Sequence, residues 1–327
     1  MKIRWNVLLL LFAALRISGA PLTISVQVDP PAALPGVPVS LILDVENTSN
    51  RSQVIPSRMI LVVRPSAGEA FVPTSVGASV RPFPEEYRDE RTIGPGETKR
   101  YEIPVADQLT AGAMTDRRLW NPGAYDFQLV LRDDLRDSDI ERSGVNALFS
   151  ARANSSLLIS SPAKLQVENP TGVDAEIWST LLEKTGGRGL LRNDDRQSDA
   201  IARELWGRAA DSAYRPYLIA YMKYTPREEL VAKWREIVDK DPSHRVAETI
   251  RLGNAQMKAL EAETALTRGG SFETILAQTE QARSELQTLA ATNSRHDLLR
   301  VRARRELAKL RSREELAAAY RERAAKQ

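Results

Sequence analysis

His244 and His296 are the only histidines among 327 residues, and the chain has no cysteine. Imidazole titrates nearest neutral pH and is the commonest metal ligand, so general-base or zinc chemistry would have to run through these two residues. They lie far apart in the sequence, and neither has a second histidine four residues away, the spacing of a helical zinc site. His244 follows Pro242-Ser243 where a helix would begin, a position suited to capping, and both imidazoles are expected at the surface. The missing cysteines remove disulfides, thiolate nucleophiles and thiolate zinc sites together. No G-x-S-x-G elbow, glycine-rich phosphate loop or H-E-x-x-H segment appears. No catalytic, cofactor-binding or metal residue is assigned, and the chain reads as a non-enzyme without a cofactor.

Two acidic stretches carry the oxygen ligands that calcium takes. Asp133, Asp134, Asp137, Asp139 and Glu141 are interleaved with Arg132, Arg136 and Arg142, which neutralise the charge such a site needs. A solvated loop is the expectation there. The stretch Glu85, Glu86, Asp89 and Glu90, with Arg88 and Arg91, reads the same way. Recognition chemistry is left to the aromatics. At helical spacing these ordinarily fill a core, but a phenol can stay half exposed and still bond a partner. Tyr214, Tyr217 and Tyr221 are the candidates for lining a protein- or peptide-binding groove.

The elements that would position these residues change rhythm at Asn169 to Gly172. Before it, apolar residues alternate: Leu22, Ile24, Val26 and Val28; Val37 to Val45; Met59 to Val63; Tyr101, Ile103 and Val105; Tyr125, Phe127, Leu129 and Leu131; Leu165 and Val167. Pro95-Gly96-Glu97 and Pro122-Gly123-Ala124 supply turns. After it, apolar residues recur every three to four positions. A helix begins at Thr225-Pro226, another ends near Arg268 at the Gly269-Gly270 pair, and the next starts near Ser271 with Phe272, Ile275 and Leu276 on one side.

The first half resembles the immunoglobulin-like sandwiches of exported bacterial proteins. The resemblance rests on a first strand, a proline-rich link, Gly36 opening a long strand into Glu46-Asn47-Thr48, and the two Pro-Gly turns. It implies an antiparallel β-sandwich over residues 21–168 and no activity, because such modules serve as spacers, adhesins, inhibitors and carbohydrate binders alike. In the second half, Ala202, Trp206 and Ala209, then Leu230, Trp234, Ile237 and Pro242, fall at intervals that resemble the second helix of a tetratricopeptide (TPR) repeat, with Tyr221 where the preceding helix carries an aromatic. Leu230 and Ile237 replace the usual small residues, Tyr217-Leu218 replaces a common Leu-Gly pair, and Gly186 to Asp195 lengthens a loop. This implies two degenerate repeats in a helical-repeat (TPR-like) domain over residues 173–327. Val246, Ile250, Leu252, Met257 and Leu260 are expected to bury as the later helices extend or cap the stack.

Lys2 and Arg4, the apolar run Val7 to Leu15, and Ser18-Gly19-Ala20 have the form of a secretory signal peptide over residues 1–20, giving a secreted or periplasmic protein. The run covers about half of the roughly 20 residues of a membrane span, so no stable transmembrane segment is expected after cleavage. Beyond the leader 43 basic residues face 43 acidic ones, which excludes a whole-protein field for nucleic acid. Residues 21–170 carry 15 basic and 19 acidic side chains, and residues 171–327 carry 28 and 24, so the halves are expected to attract across their junction. From Arg295 on, a basic helix bears Leu299, Ala303, Leu307 and Leu310 as a stripe. Packing on the stack, with fraying past Glu315, is expected over weak contact with a membrane surface. The whole reads as a non-enzymatic interaction or scaffold protein binding a protein or peptide in the cell envelope. The alternative is a carbohydrate-binding or protease-inhibitory sandwich with the helices as a stability or oligomerisation module.

Overall fold

A computed structural model describes residues 21–66, 68–72, 80–106, 121–134, 136, 157–185, 196–291 and 296–325. The leader, most of the acidic stretch 133–141 and the loop 186–195 lie outside the described residues. A β region is followed by a helical region, and the change falls at residues 169–172, where the pattern changes.

Every alternating segment named above is a strand. β1 (Leu22–Asp29), β3 (Val39–Asn47) and β8 (Thr98–Ala106) form one antiparallel sheet, with Leu22 opposite Asn47 and Leu41 opposite Ile103. The second sheet has the order β2 (Ala32–Ala33), β11 (Ala163–Val167), β9 (Gly123–Leu131), β5 (Arg58–Pro65), β6 (Arg81–Pro82), with β10 (Leu158–Ile159) also on β9. It is mixed, because β2 runs parallel to β11. A two-residue pair, β4 (Gln53–Val54) and β7 (Thr92–Ile93), stands apart. Alternation directs Val26, Leu41, Leu43, Tyr101 and Ile103 of the first sheet toward Leu61, Val63, Phe127, Leu129 and Leu165 of the second, and these meet in one core.

β5 departs from one-faced burial. Its unbroken run Met59–Val63 is buried on both sides, because Ile60 and Val62 pack with Val72 and Val130 beneath Ala70, Val80 and Leu157. The stretch Glu85–Glu90, expected as a solvated loop, is a 3₁₀ turn that buries Tyr87 completely against Phe83 and Tyr101, with the two tyrosine rings edge to face at 5.0 Å. The Tyr87 ring anchors the segment in the core, and Arg302 and Arg305 bond Glu86 and the Glu85 carbonyl at its edge.

The helices are α1 (Gly172–Lys184), α2 (Arg196–Arg208), α3 (Arg215–Leu218) running into a 3₁₀ turn (Ile219–Tyr221), α4 (Arg227–Lys240), α5 (Arg245–Arg268), α6 (Phe272–Ala291), α7 (Asp297–Lys309) and α8 (Arg313–Ala324). The segment bearing Tyr214, Tyr217 and Tyr221 is thus one α turn and one 3₁₀ turn, with Pro216 in the first turn preventing an earlier start. Gly269 closes α5 in the left-handed region at φ 98°. The Arg323 guanidinium passes where a β-carbon would project. Gly269→Ala is expected to lower stability by about 1–2 kcal/mol from backbone strain alone, measurable as a shifted urea midpoint.

The basic C-terminal segment is two helices. α8 opens on a capping box between Ser312 and Glu315 and runs to Ala324, so the helix does not stop at Glu315. The stripe Leu299, Ala303, Leu307 and Leu310 packs with Leu252 and Ala255 of α5 and Leu286 and Leu289 of α6. That contact takes the apolar face a membrane surface would need. Among the described residues no helix is long and apolar enough to cross a membrane.

The β and helical regions share a core: Ile177, Leu181, Leu205, Tyr214, Leu218 and Met222 are contiguous with the strand residues. Residues 169–172 divide kinds of structure, not cores.

Candidate functional site

The site begins with two helix starts. The first residues of α5 and α7 both meet the outer face of β8, where unpaired N–H groups and the positive ends of the helix dipoles favour a carboxylate. Glu102 on β8 supplies it and is wholly buried. Its side chain accepts from Ser40 Oγ at 2.9 Å, from Arg245 at 2.9 Å and from the Leu298 N–H at 3.0 Å. Arg245 also donates to Ser40 Oγ. The Glu102 N–H donates to Tyr87 Oη at 2.9 Å, and Tyr87 in turn donates to Asp297 at 3.1 Å, whose carboxylate pairs with Arg300. Burial and the carboxylates of Asp297 and Glu102 push the Tyr87 phenol far above its usual range, so it remains a donor. At the edge, Arg302 pairs with Glu86 at 2.7 Å. Burial opposes ionisation of Glu86, but hydrogen bonding to Arg302 and its charge outweigh it and hold the carboxyl below its usual value.

Both histidines belong to this junction and are half-buried, not at the surface. His244 is the N-cap of α5 and accepts the Val246 N–H at Nδ1, 3.1 Å away, as the position before a helix start requires. Its Nε2 lies 3.4 Å from Tyr217 Oη. His296 is the N-cap residue of α7, where Glu102, Arg245, Asp29 and His244 all act on its charge. Burial holds both imidazoles below their ordinary pKa. Spacing along the chain gave no sign that the two share a site, because the fold of α5 back along α6 to α7 brings them together.

The three candidate tyrosines separate. Tyr214 and Tyr221 are core residues with 0% and 2% exposure, which corrects their assignment to a partner groove. Tyr214 stacks on Trp178 with ring centroids 5.9 Å apart and donates to the Pro35 carbonyl at 3.0 Å, so its hydroxyl is already engaged by the β region. Burial raises both phenols well above their usual range. Tyr217 remains half-buried, its phenol pushed up to about 12 by burial against the opposing charge of Arg245.

Neither a family profile nor a curated protein sequence matches the chain. Solved structures that it resembles include an alkylpurine DNA glycosylase from Pseudomonas fluorescens bound to DNA containing an abasic site analog, 14% identical, covering 46% of this chain and 32% of that one, with a TM-score of 0.24. A β-glucosidase from Erythrobacter marinus is 11% identical, covering 44% of this chain and 15% of that one, with a TM-score of 0.23. A sporulation control protein from Bacillus subtilis is 14% identical, covering 51% and 55%, also with a TM-score of 0.23. This chain therefore spans less than two thirds of each, and likenesses at these scores carry no argument about fold or activity.

Tyr217 lies between two clefts of 530 Å³ each. One is mixed in character and runs from Ala33, Leu34 and Val37 of the β region to Trp206, Glu236 and His244. Its polar groups are largely satisfied by one another: Arg215 lies 4.6 Å from the Trp206 ring centroid and pairs with Glu236 at 2.6 Å, and Ser212 donates to Asp174 at 2.7 Å. The other is apolar, lined by Ile219, Leu230, Trp234, Val246, Ile250 and Met257 between α4 and α5. It adjoins a 450 Å³ cleft through Trp234, Ile250, Asn254 and Met257. Met257 is 47% exposed and Leu260 59%, against the expectation that both are buried in the stack. Periodicity placed them on α5 but gave no sign that they would stay uncovered.

The acidic stretch is occupied locally. Asp133 accepts from Ser57 N and Oγ at 2.6 and 2.8 Å, and Asp134 pairs with Arg132. Among the described residues no three His, Asp or Glu side chains are grouped to hold a metal ion.

Proposed function

We propose that this is an exported, non-enzymatic interaction protein of the cell envelope, in which an immunoglobulin-like β-sandwich carries degenerate TPR-like helices that bind a protein or peptide segment. The observation that carries the reading is the apolar groove between α4 and α5, open along Trp234, Ile250 and Met257 and continuing toward exposed Leu260. Apolar surface of this kind on a folded chain is typical of a protein-binding face. The leader pattern of residues 1–20 supports export, and the spacing of Ala202, Trp206 and Ala209 and of Leu230, Trp234 and Ile237 supports the repeat reading.

Charge narrows the partner. Arg227 is paired with Glu261, and Arg251 with Glu285, which leaves Arg235 and Lys258 to set the sign of the rim against Asp239. A matching segment presents two or three apolar side chains with carboxylates beside them. Trp234 is the anchor expected to matter most, since interface energy concentrates in such aromatics.

The test is capture from an envelope extract by the full chain, its Met257→Glu variant and its Trp234→Ala variant. Both variants are expected to keep a cooperative melt and to lose at least tenfold of the captured partner, corresponding to about 1.4 kcal/mol or more. Capture that is undiminished in both variants, or that is indifferent to salt, would remove the groove from the proposal.

A further inference from the structure

α5 carries two lines of uncharged residues, and the fold covers one of them. Leu252, Ala255, Ala262 and Leu266 are buried against residues of α6, α7 and α8. On the opposite side Val246, Ile250, Gly253, Met257, Leu260 and Thr264 follow one another at steps of four, three, four, three and four residues. That is the spacing of a heptad seam, in which alternating steps of three and four keep one line of side chains toward a partner helix. None of the six is fully covered: Met257 is 47% and Leu260 59% exposed, and the other four are half-buried. The line runs about 27 Å at 1.5 Å per residue, and its first four positions border the apolar 530 Å³ cleft.

Gly253 is the member of this line that the fold itself does not require. Glycine inside a helix is less stable than alanine, Gly253 does not take the left-handed conformation that favours it, and a β-carbon added there would meet nothing within 4 Å. What the missing side chain supplies is a place where another backbone can come close to α5. The walls set the form of that backbone. The residues lining the apolar cleft and the 450 Å³ cleft beside it lie in helices, turns or the Pro38 link, with no strand edge among them. An extended segment would find no strand to pair with there, whereas a helix satisfies its own N–H and C=O groups. Charge sets the flanks. Among the described residues no carboxylate lines the apolar cleft, which holds Lys223, and in the adjoining cleft Arg235 and Lys258 outnumber Asp239 once the Arg227–Glu261 and Arg251–Glu285 pairs are set aside.

With the α4–α5 groove taken as the binding face, the reading on which this one rests, we propose that its occupant is an amphipathic α-helix of about three heptads, acidic beside its apolar positions, that lies along α5 and meets it most closely at Gly253. Its apolar side chains seat between Met257, Leu260 and the Trp234 ring, and its carboxylates reach Arg235 and Lys258. Docking gives α5 a second covered face.

Fluorescence anisotropy with the full chain and three labelled peptides reads this directly. The first peptide has about three heptads with Leu at a and d and Glu at e and g, flanks that also keep it from pairing with itself. The second replaces each Glu by Lys, and the third reorders the first so that Leu recurs at every second position, the pattern of a strand. The acidic helix is expected to bind at least tenfold more tightly than either of the others, and to lose about tenfold or more in the Met257→Glu and Trp234→Ala variants. Gly253→Ala separates docking from structure. The better helix former is expected to raise the melting temperature by about 2 °C, while its methyl group, placed where the two helices meet, weakens the acidic helix about tenfold. No binding of the acidic helix, equal binding of the lysine or reordered peptide, or unchanged affinity in the Gly253→Ala variant would overturn the proposal. If capture from the envelope extract still depends on Trp234 and Met257 in any of those cases, the groove stands and the helical occupant alone falls. Capture indifferent to both residues removes the groove itself.

Discussion

Glu102→Ala is expected to cost about 3–5 kcal/mol of folding stability, the penalty for deleting one partner of a buried ion pair. The loss is larger than the worth of the pair itself. Without the carboxylate, Arg245 keeps its charge but loses its anion at the start of α5, and the Leu298 N–H and Ser40 hydroxyl lose their buried acceptor. Urea unfolding at neutral pH measures it. Glu102→Gln separates charge from shape, since it leaves a carbonyl acceptor of the same reach, and an intermediate loss is expected. A change below about 0.5 kcal/mol in the alanine variant, the range of ordinary surface substitutions, would show that the Glu102 contacts contribute little to holding the regions together.

The second large effect is at Tyr214. Tyr214→Ala is expected to cost about 3–5 kcal/mol, as aromatic truncations in packed cores do, because it empties a fully buried position and strips Trp178 of its stacked partner. Tyr214→Phe keeps the ring and leaves the Pro35 carbonyl without its donor, with an expected loss of about 1–3 kcal/mol. Differential scanning calorimetry should place both variants below the unaltered chain in that order. Were Tyr214 instead a partner-facing residue, alanine would leave the melting temperature in place and reduce only binding.

Much of the architecture could be read from the sequence, and what could not be read had a common cause. Alternation located β1, β3, β5, β8, β9 and β11, and the glycine pair at 269–270 located the turn between α5 and α6. Periodicity says which way a side chain points, not what covers it. Tyr101, Ile103 and Val105 point inward, so Glu102 and Ser40 point out of the sheet, which in isolation means solvent. The helices dock on that outward face and convert a surface carboxylate into a buried one. The same limit worked in reverse for Met257 and Leu260, apolar on a helix yet left uncovered. Tyr214 fills the core because a phenol can satisfy its hydroxyl there, as it does at Pro35, whereas Tyr221 is buried with its hydroxyl unpartnered among the described residues. His244 caps α5 as its place after Pro242-Ser243 predicts, but it is half-buried in the junction and not at the surface, since capping is local and docking is not. The opposite net charges of the halves anticipated the sign of the contacts Arg245–Glu102 and Arg302–Glu86, though not their positions.

The partners of Glu102 are distant along the chain, at Arg245 and Leu298, and Tyr87 bonds Asp297 across 210 positions. The closures joining them are costly in chain entropy and come late in assembly. A chain emerging from its amino terminus can pair β1, β3 and β8 early, but their outer face stays wet until α7 has been made. Ser40 and Glu102 are buried in the finished molecule. A chain truncated before residue 297 therefore lacks the Leu298 N–H and the Asp297 carboxylate that meet Glu102 and Tyr87 in the finished molecule, and leaves that part of the sheet face unsheltered.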